Sequence, residues 1–418
     1  ILKGFCVMYI GAIQQYNSSP SFKSGRTTLY TDFDGTFMPF SHEDVCNNDC
    51  FNKQNDFYRM HGGIDYFFSS FKDKVKLIIT TGRSKNEYDY FVKNLEQKNL
   101  YIHKPQALIT RDGSSRYNCT NNEIKEDTVR NNPIKESINL KDINFLSNNI
   151  KKIVKRIYPS AYIVEPGVNK NRHEYGHKSL EYVLDKSDFD DKNSYISISE
   201  PEPLVIEMAV SKKYDVNSIA KSIKDFVDAN NIKVSVNAFE DDPFNFLPIY
   251  TTNGKQYKKA DTIIIKPLIE GSEITKLYDV KNEIRKNIEN NTNDFVVAAG
   301  DGFNDEPMLN PLNYLDLYGV KIDKNKSIQE ILSDNDTLEA LKKLPFCAIV
   351  CSNEKALDNI RKIGQILDSK GIYKVKSTDN PREFLLKNLK QAINDYGETN
   401  DEFMFSLGPD LYCSLFDN

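Results

Sequence analysis

Two carboxylates stand two residues apart in Asp32-Phe33-Asp34-Gly35-Thr36, with a glycine behind them for a sharp turn. At the end of a strand such a pair can act as nucleophile and acid/base partner. An aspartate oxygen can attack phosphorus, and the acyl phosphate it forms is reactive enough for water to complete the transfer. Further on, Thr80-Thr81-Gly82-Arg83 offers a hydroxyl at Thr81 and, at Gly82, the approach to a helix amino terminus that can hold phosphate oxygens. Gly300-Asp301-Gly302-Phe303-Asn304-Asp305 adds acidic side chains to those of the first motif. Together they supply the few oxygen ligands that magnesium accepts while it keeps waters and a substrate oxygen. Lys276, after Gly271 and ahead of a helical run, carries the positive charge that lets an anionic carboxylate approach an anionic phosphate.

Each of these signals has an ordinary structural reading. A lone DxDG is usually a turn with solvated carboxylates, and a lone TGR is usually a helix cap. Their order along the chain, each at the end of an apolar run, favours chemistry. Those runs are Thr28 to Thr31, Val75 to Thr80, Ala107 to Ile109, Phe295 to Ala299 and Phe346 to Val350, all read as buried strands. Helical spacing follows at Ser84 to Leu95, and Pro307 sits in the first turn of a helix at Glu306 to Leu309. Strands alternating with helices predict a Rossmann-like α/β core, with a parallel sheet and its ligand site at the carboxyl ends of the strands.

The pattern changes between residues 115 and 260. Helices near Asp142 to Ile157 and Val216 to Asn230 alternate with strand-like runs at Leu204 to Val210 and Ile232 to Val236, which predicts an inserted α+β cap. Ile263 to Ile265 returns to the buried-strand style, so the core is expected to be built from residues 26–114 and 261–395. Residues 1–25 and 396–418 read as tails, the first opening on an apolar run too short to span a bilayer, the second acidic with scattered aromatics.

The four motifs in this order resemble the haloacid dehalogenase superfamily of phosphotransferases, and Pro105 to Gly113 resembles the strand leading to the cap in its Cof-like and sugar-phosphatase branch. The resemblance covers roughly residues 27–113 and 261–360. It implies Asp32 as nucleophile, Asp34 as general acid and base, and Thr81, Gly82, Lys276 and Asn304 as phosphate contacts. It also implies Mg2+ held by Asp32, Asp34, Asp301 and Asp305. Lys255, Lys258, Lys259 and Lys266 compete for the lysine role; the run from Gly271 to Lys276 resembles the loop that opens the family's next helix and favours Lys276. The stretch from Asp34 to Thr81 is too short for a large insert, while that from Thr81 to Lys276 is several times an ordinary connection, which the family would call a C2 cap.

The expected activity is hydrolysis of a small phosphate monoester, a sugar phosphate by analogy with the sucrose- and trehalose-phosphatase branches. Asn304 stands where trehalose-phosphatases tend to have Thr, which weighs against that assignment. A phosphomutase using the same aspartate and a silent binding protein on the same scaffold are the alternatives. His173-Glu174-Tyr175-Gly176-His177 fits the zinc pattern HExxH, but Gly176 and the preceding Pro166-Gly167 argue against the helix it needs. With Arg172 and Lys178, His173 instead forms a basic cluster able to meet an acidic group on a substrate.

The 418 residues are 39% hydrophobic and 28% charged, with a net charge of -5. That balance is globular and excludes a nucleic-acid binder relying on a basic surface. No run reaches transmembrane length, and seven scattered cysteines suggest reduced thiols, so a cytoplasmic chain acting on a phosphorylated metabolite is expected, with neither nucleic acid nor membrane as partner.

Overall fold

The computed structural model describes residues 26–33, 36–37, 75–86, 88–89, 92–93, 104–120, 123–137, 140–164, 195–198, 204–240, 246–251, 254–269, 271–292, 294–323, 325–352 and 355–377. Asp34, Arg172, His173, Lys178 and both expected tails lie outside them.

The core sheet is built from β1 (Thr27–Asp32), β2 (Val75–Thr80), β3 (Ala107–Thr110), β4 (Ser115–Thr120) and β5 (Glu123–Glu126), then β13 (Phe295–Gly300), β14 (Phe346–Val350) and β15 (Val375–Ser377). Their order is β15-β14-β13-β1-β2-β3-β4-β5. The pairs from β15 to β3 are parallel, as expected of strands that alternate with helices. β1, β13 and β14 are buried along their whole length, which is why they read as unbroken apolar runs. Tyr30, Ile78, Val296, Ala298 and Phe346 pack with helix residues such as Val280, Leu341 and Ile363 into one core.

A second sheet carries β6 (Tyr162–Val164), β7 (Tyr195–Ile198), β8 (Ile206–Ser211), β9 (Val234–Phe239), β10 (Phe246–Thr251), β11 (Gly254–Ile269) and β12 (Ser272–Glu273). The helices α1 (Thr128–Ser137), α2 (Leu140–Ile157) and α3 (Val216–Ala229) precede and interleave with it. Leu146, Ile150 and Val154 of α2, with Ile219, Ile223 and Val227 of α3, share a core with Met208, Ile263 and Ile265 of the sheet. Asp215 caps α3 by accepting from the backbone N–H groups of Asn217 and Ser218.

Two expected boundaries move. Ile263 to Ile265, expected to resume the core at residue 261, lies in β11, which pairs antiparallel with β8 and β9 in the second sheet. A buried strand in the cap has the same apolar signature as a buried strand in the core. At the other end, β4 and β5 extend the core sheet antiparallel beyond residue 114, so the sheet is mixed rather than wholly parallel. The core resumes at α4 (Leu277–Glu289), then α5 (Glu306–Leu309), α6 (Ile328–Ile331), α7 (Asn335–Lys343) and α8 (Asp358–Asp368). Residues 85–86, 88–89 and 92–93 are helical after β2. Among the described residues no helix is long and apolar enough to cross a membrane.

Candidate active site

Parallel pairing brings the carboxyl ends of the central strands to one edge of the core sheet. Asp32 at the end of β1 is in register with Thr80 at the end of β2, and Thr31 with Ala299, one residue before the end of β13. The first, second and third motifs are therefore adjacent although far apart in the chain.

Lys276, just ahead of α4, is fully buried and lies between two carboxylates. Its Nζ donates to Asp32 Oδ1 at 2.8 Å and to Asp305 Oδ1 at 2.6 Å. Burial works against the charge of the ammonium, but Asp305 and Asp32 outweigh it and hold its pKa above the ordinary lysine value. Asp32 Oδ1 also accepts the backbone N–H of Phe33 at 2.8 Å, which fixes the carboxylate at the start of its turn.

The loop after β13 is tied by Asp305, whose Oδ2 accepts the backbone N–H groups of Asp301 (3.0 Å) and Gly302 (2.9 Å). That fold-back is close: a Cβ on Gly300 would stand 2.5 Å from Asp305 Cβ, so glycine is required there by contact with its own loop. Thr36 Oγ1 donates to Asp301 Oδ1 at 2.6 Å, joining the first motif to the third. Carboxylate oxygens of Asp32, Asp301 and Asp305 lie within 4.8 Å of one another. Three hard oxygen donors at this spacing fit a small divalent cation such as Mg2+. Both Asp305 oxygens accept from nitrogen, so this carboxylate also orders the loop.

A second polar cluster flanks the first. Thr81 follows β2 and its Oγ1 accepts the backbone N–H of Arg83 at 3.1 Å. The N–H of Asp112 donates to the Thr81 carbonyl, and that of Arg111 to the Arg83 carbonyl, so the segment after β3 is laced to the segment after β2. Arg111 and Asp112 have φ of 48° and 51°, the left-handed region that ordinary residues seldom occupy. Asp112 is buried, and its Oδ2 accepts from Lys266 Nζ (3.1 Å) while its Oδ1 accepts from Asn304 Nδ2 (3.0 Å). Burial alone would raise its pKa; Lys266, Lys276 and Asn304 reverse that and lower it to about 2.

Contacts with the cap sheet surround this cluster. Arg111 Nη1 pairs with Glu207 of β8 at 2.8 Å, Lys266 belongs to β11, and the ring of Phe239 at the end of β9 lies 5.0 Å from that of Phe303 in the third motif. From the other side, Arg130 of α1 donates to the Gly113 carbonyl and pairs with Asp279 of α4. Arg116 pairs with the same Asp279 at 3.2 Å.

The structure thus brings Asp32, Thr81, Gly82, Lys276, Asp301, Asn304 and Asp305 to one end of the core sheet, with Lys276 rather than Lys266 against Asp32. Thr36 of the first motif, Asp112 and Lys266 join them; the sequence reading gave Asp112 no role and weighed Lys266 only as a competitor of Lys276. The available signal was Arg111-Asp112-Gly113, a charged pair and a glycine directly after a buried strand.

No family model matches the chain, and no curated protein matches it. Among solved structures it is similar to a sucrose-phosphatase from Synechocystis in complex with sucrose and phosphate, at 10% identity and a TM-score of 0.40, over 88% of this chain and 98% of that one. It is also similar to the C-terminal domain of a Candida albicans trehalose-6-phosphate phosphatase (15% identity, TM-score 0.39, 89% of this chain and 93% of that one). A third is a haloacid dehalogenase-like hydrolase protein from Bacillus subtilis (16% identity, TM-score 0.33, 69% of this chain and 80% of that one).

Proposed function

We propose that this chain is a haloacid dehalogenase-type phosphatase that hydrolyses a small phosphate monoester through an aspartyl-phosphate on Asp32. The observation that carries the reading is Lys276, buried between Asp32 and Asp305 beside Asp301. A buried cation against the attacking carboxylate, in a cluster of hard oxygen donors, is what an anionic nucleophile meeting an anionic substrate requires.

In this mechanism an Asp32 oxygen forms a bond to phosphorus as the bond from phosphorus to the leaving oxygen breaks. Asp34 gives that oxygen its proton, then takes one from the water that attacks the aspartyl-phosphate, releasing phosphate and restoring Asp32. Lys276 holds Asp32 in place and offsets negative charge throughout. Thr81, Gly82 and Asn304 receive the phosphoryl oxygens. Bound at Asp32, Asp34 and Asp301, with Asp305 ordering the loop, Mg2+ would supply further charge neutralisation. Arg172, His173 and Lys178 are proposed to meet an acidic group on the substrate, a sugar phosphate in the first instance, and the site of action is proposed to be the cytoplasm.

The test is phosphate release from a panel of sugar, nucleotide and lipid-headgroup phosphates, with and without magnesium, for the native chain and Asp32→Asn. Magnesium-dependent release that the substitution lowers by roughly a thousandfold or more is expected. Release unaffected by Asp32→Asn would overturn the proposal, and an isomerised phosphosugar in place of free phosphate would identify a mutase.

A further inference from the structure

Beside the four motifs stands a buried carboxylate, Asp112, without a part in the chemistry. Asp112 is held in a left-handed backbone conformation, is 7% exposed, and bridges the cap strand β11 through Lys266 to the third motif through Asn304. Such a conformation in a non-glycine residue is kept only where its surroundings impose it. Here the N–H of Asp112 is bound by Thr81, and Gly113 behind it packs so closely on Thr275 that no side chain fits.

We infer that Asp112 is a positioning residue for the phosphate subsite, acting through the amide of Asn304. A carboxylate only accepts hydrogen bonds, so the Asn304 group turned toward it must be the NH2 end. One N–H is then engaged by Asp112. The other remains to donate beside Gly82, where a Cβ would stand 3.8 Å from Asn304 Nδ2 and 3.3 Å from Asp112 Oδ1. The missing side chain at Gly82 leaves the space in which a phosphoryl oxygen meets that donor. Lys266 offsets the charge that Asp112 would otherwise present to an anion. Because Lys266 lies in β11, the same carboxylate ties the orientation of Asn304 to the seating of the cap.

This inference rests on the reading of the site as one that binds phosphate, and it is tested by binding rather than turnover. Inorganic phosphate is titrated calorimetrically, with magnesium present, into the native chain, Asp112→Asn, and Asp112→Asn combined with Lys266→Met; thermal unfolding is followed on each. The substituted side chain is isosteric but can turn its own NH2 toward Asn304, so the Asn304 amide loses its fixed orientation. The double variant removes the lysine that the single one leaves with Glu273, at 3.7 Å, as a carboxylate partner. About tenfold weaker phosphate binding in both variants is expected, a loss of roughly 1.4 kcal/mol, with unfolding restored toward native in the double. Affinity within twofold of native in Asp112→Asn would overturn the inference. So would recovery of affinity in the double variant, which would trace the defect to the charge of Lys266, and so would a native chain that does not bind phosphate. Native binding with the expected losses, but without hydrolysis of any substrate, would support Asp112 and count against the phosphatase reading instead.

Discussion

Two buried lysines at different places in the core face opposite electrostatics. Lys276 is held between Asp32 and Asp305 and its pKa is raised, whereas Lys374, 4% exposed just before β15, donates to the Leu344 carbonyl at 2.6 Å and has its pKa lowered to about 8. In Lys374 burial is the main influence, opposed by the neighbouring Cys347. Burial is therefore common to both, and at Lys276 the fold delivers carboxylates that outweigh it. It does so at the carboxyl edge of the parallel strands, where loops converge from several parts of the chain. At Lys374 burial remains the larger influence; the ammonium of Lys276 completes a charge cluster.

Replacing each lysine by methionine should break this comparison in opposite directions. Lys276→Met leaves Asp32 and Asp305 close together without their cation, and should destabilise the chain by about 3–5 kcal/mol in denaturant unfolding. Phosphate release should fall by roughly a hundredfold to a thousandfold. A loss below about 1 kcal/mol would mean that the cluster relaxes or takes up a cation in its place.

Next in size, Gly300→Ala drives a Cβ against Asp305 at 2.5 Å and should cost about 3 kcal/mol, with release falling because the loop carrying Asp301 shifts. The same change at Gly371, where a built Cβ meets nothing within 4 Å but φ is +72°, should cost only about 1 kcal/mol of backbone strain. Equal losses at the two glycines would remove the distinction between contact and conformation.

A smaller effect appears in acid. The pKa of Asp112 in the folded chain is about 2, below the 3.8 of an unperturbed aspartate, so its contribution is present above pH 3.8 and disappears as pH falls toward 2. Stability should drop by about 2 kcal/mol over that window on account of this group, and Asp112→Asn should flatten the fall. Unfolding free energies measured at intervals from pH 5 to pH 2 check it.

Lys374 gives a slope of the same sign at the alkaline end, since its pKa also falls on folding. Its folded pKa of about 8 lies below the 10.5 of free lysine, so the folded chain releases the proton first and gains stability from pH 8 to pH 10.5. Lys374→Met should stabilise the chain by about 1–2 kcal/mol at pH 7 and remove this rise. Destabilisation at pH 7 would show that the bond to Leu344 outweighs the buried charge.

Local signals carried much of this protein. Short apolar runs ending in polar motifs located β1, β2, β3, β13 and β14 to within a residue or two, because strands buried on both faces need continuous apolar sequence. Helix periodicity located α2 and α3 for the related reason of one-sided burial. The order of motifs singled out Asp32, Lys276, Asp301 and Asp305 before any distance was known. The boundaries at residues 114 and 261 were less legible, since β4, β5 and β11 join their sheets by hydrogen bonds that leave no mark in composition.

What the sequence determined by itself is the set of chemical groups and the strands whose ends present them, because residue type and periodicity are local properties. Only the tertiary structure decided which groups meet. Four lysines preceded Lys276 as candidates, and pairing of β11 within the cap sheet turned Lys266 toward Asp112 while the entry to α4 placed Lys276 between Asp32 and Asp305. Likewise Asp112 acquired its partners only through a left-handed turn packed against distant segments. Such contacts join residues far apart in the chain, and they depend on distances that no local pattern encodes.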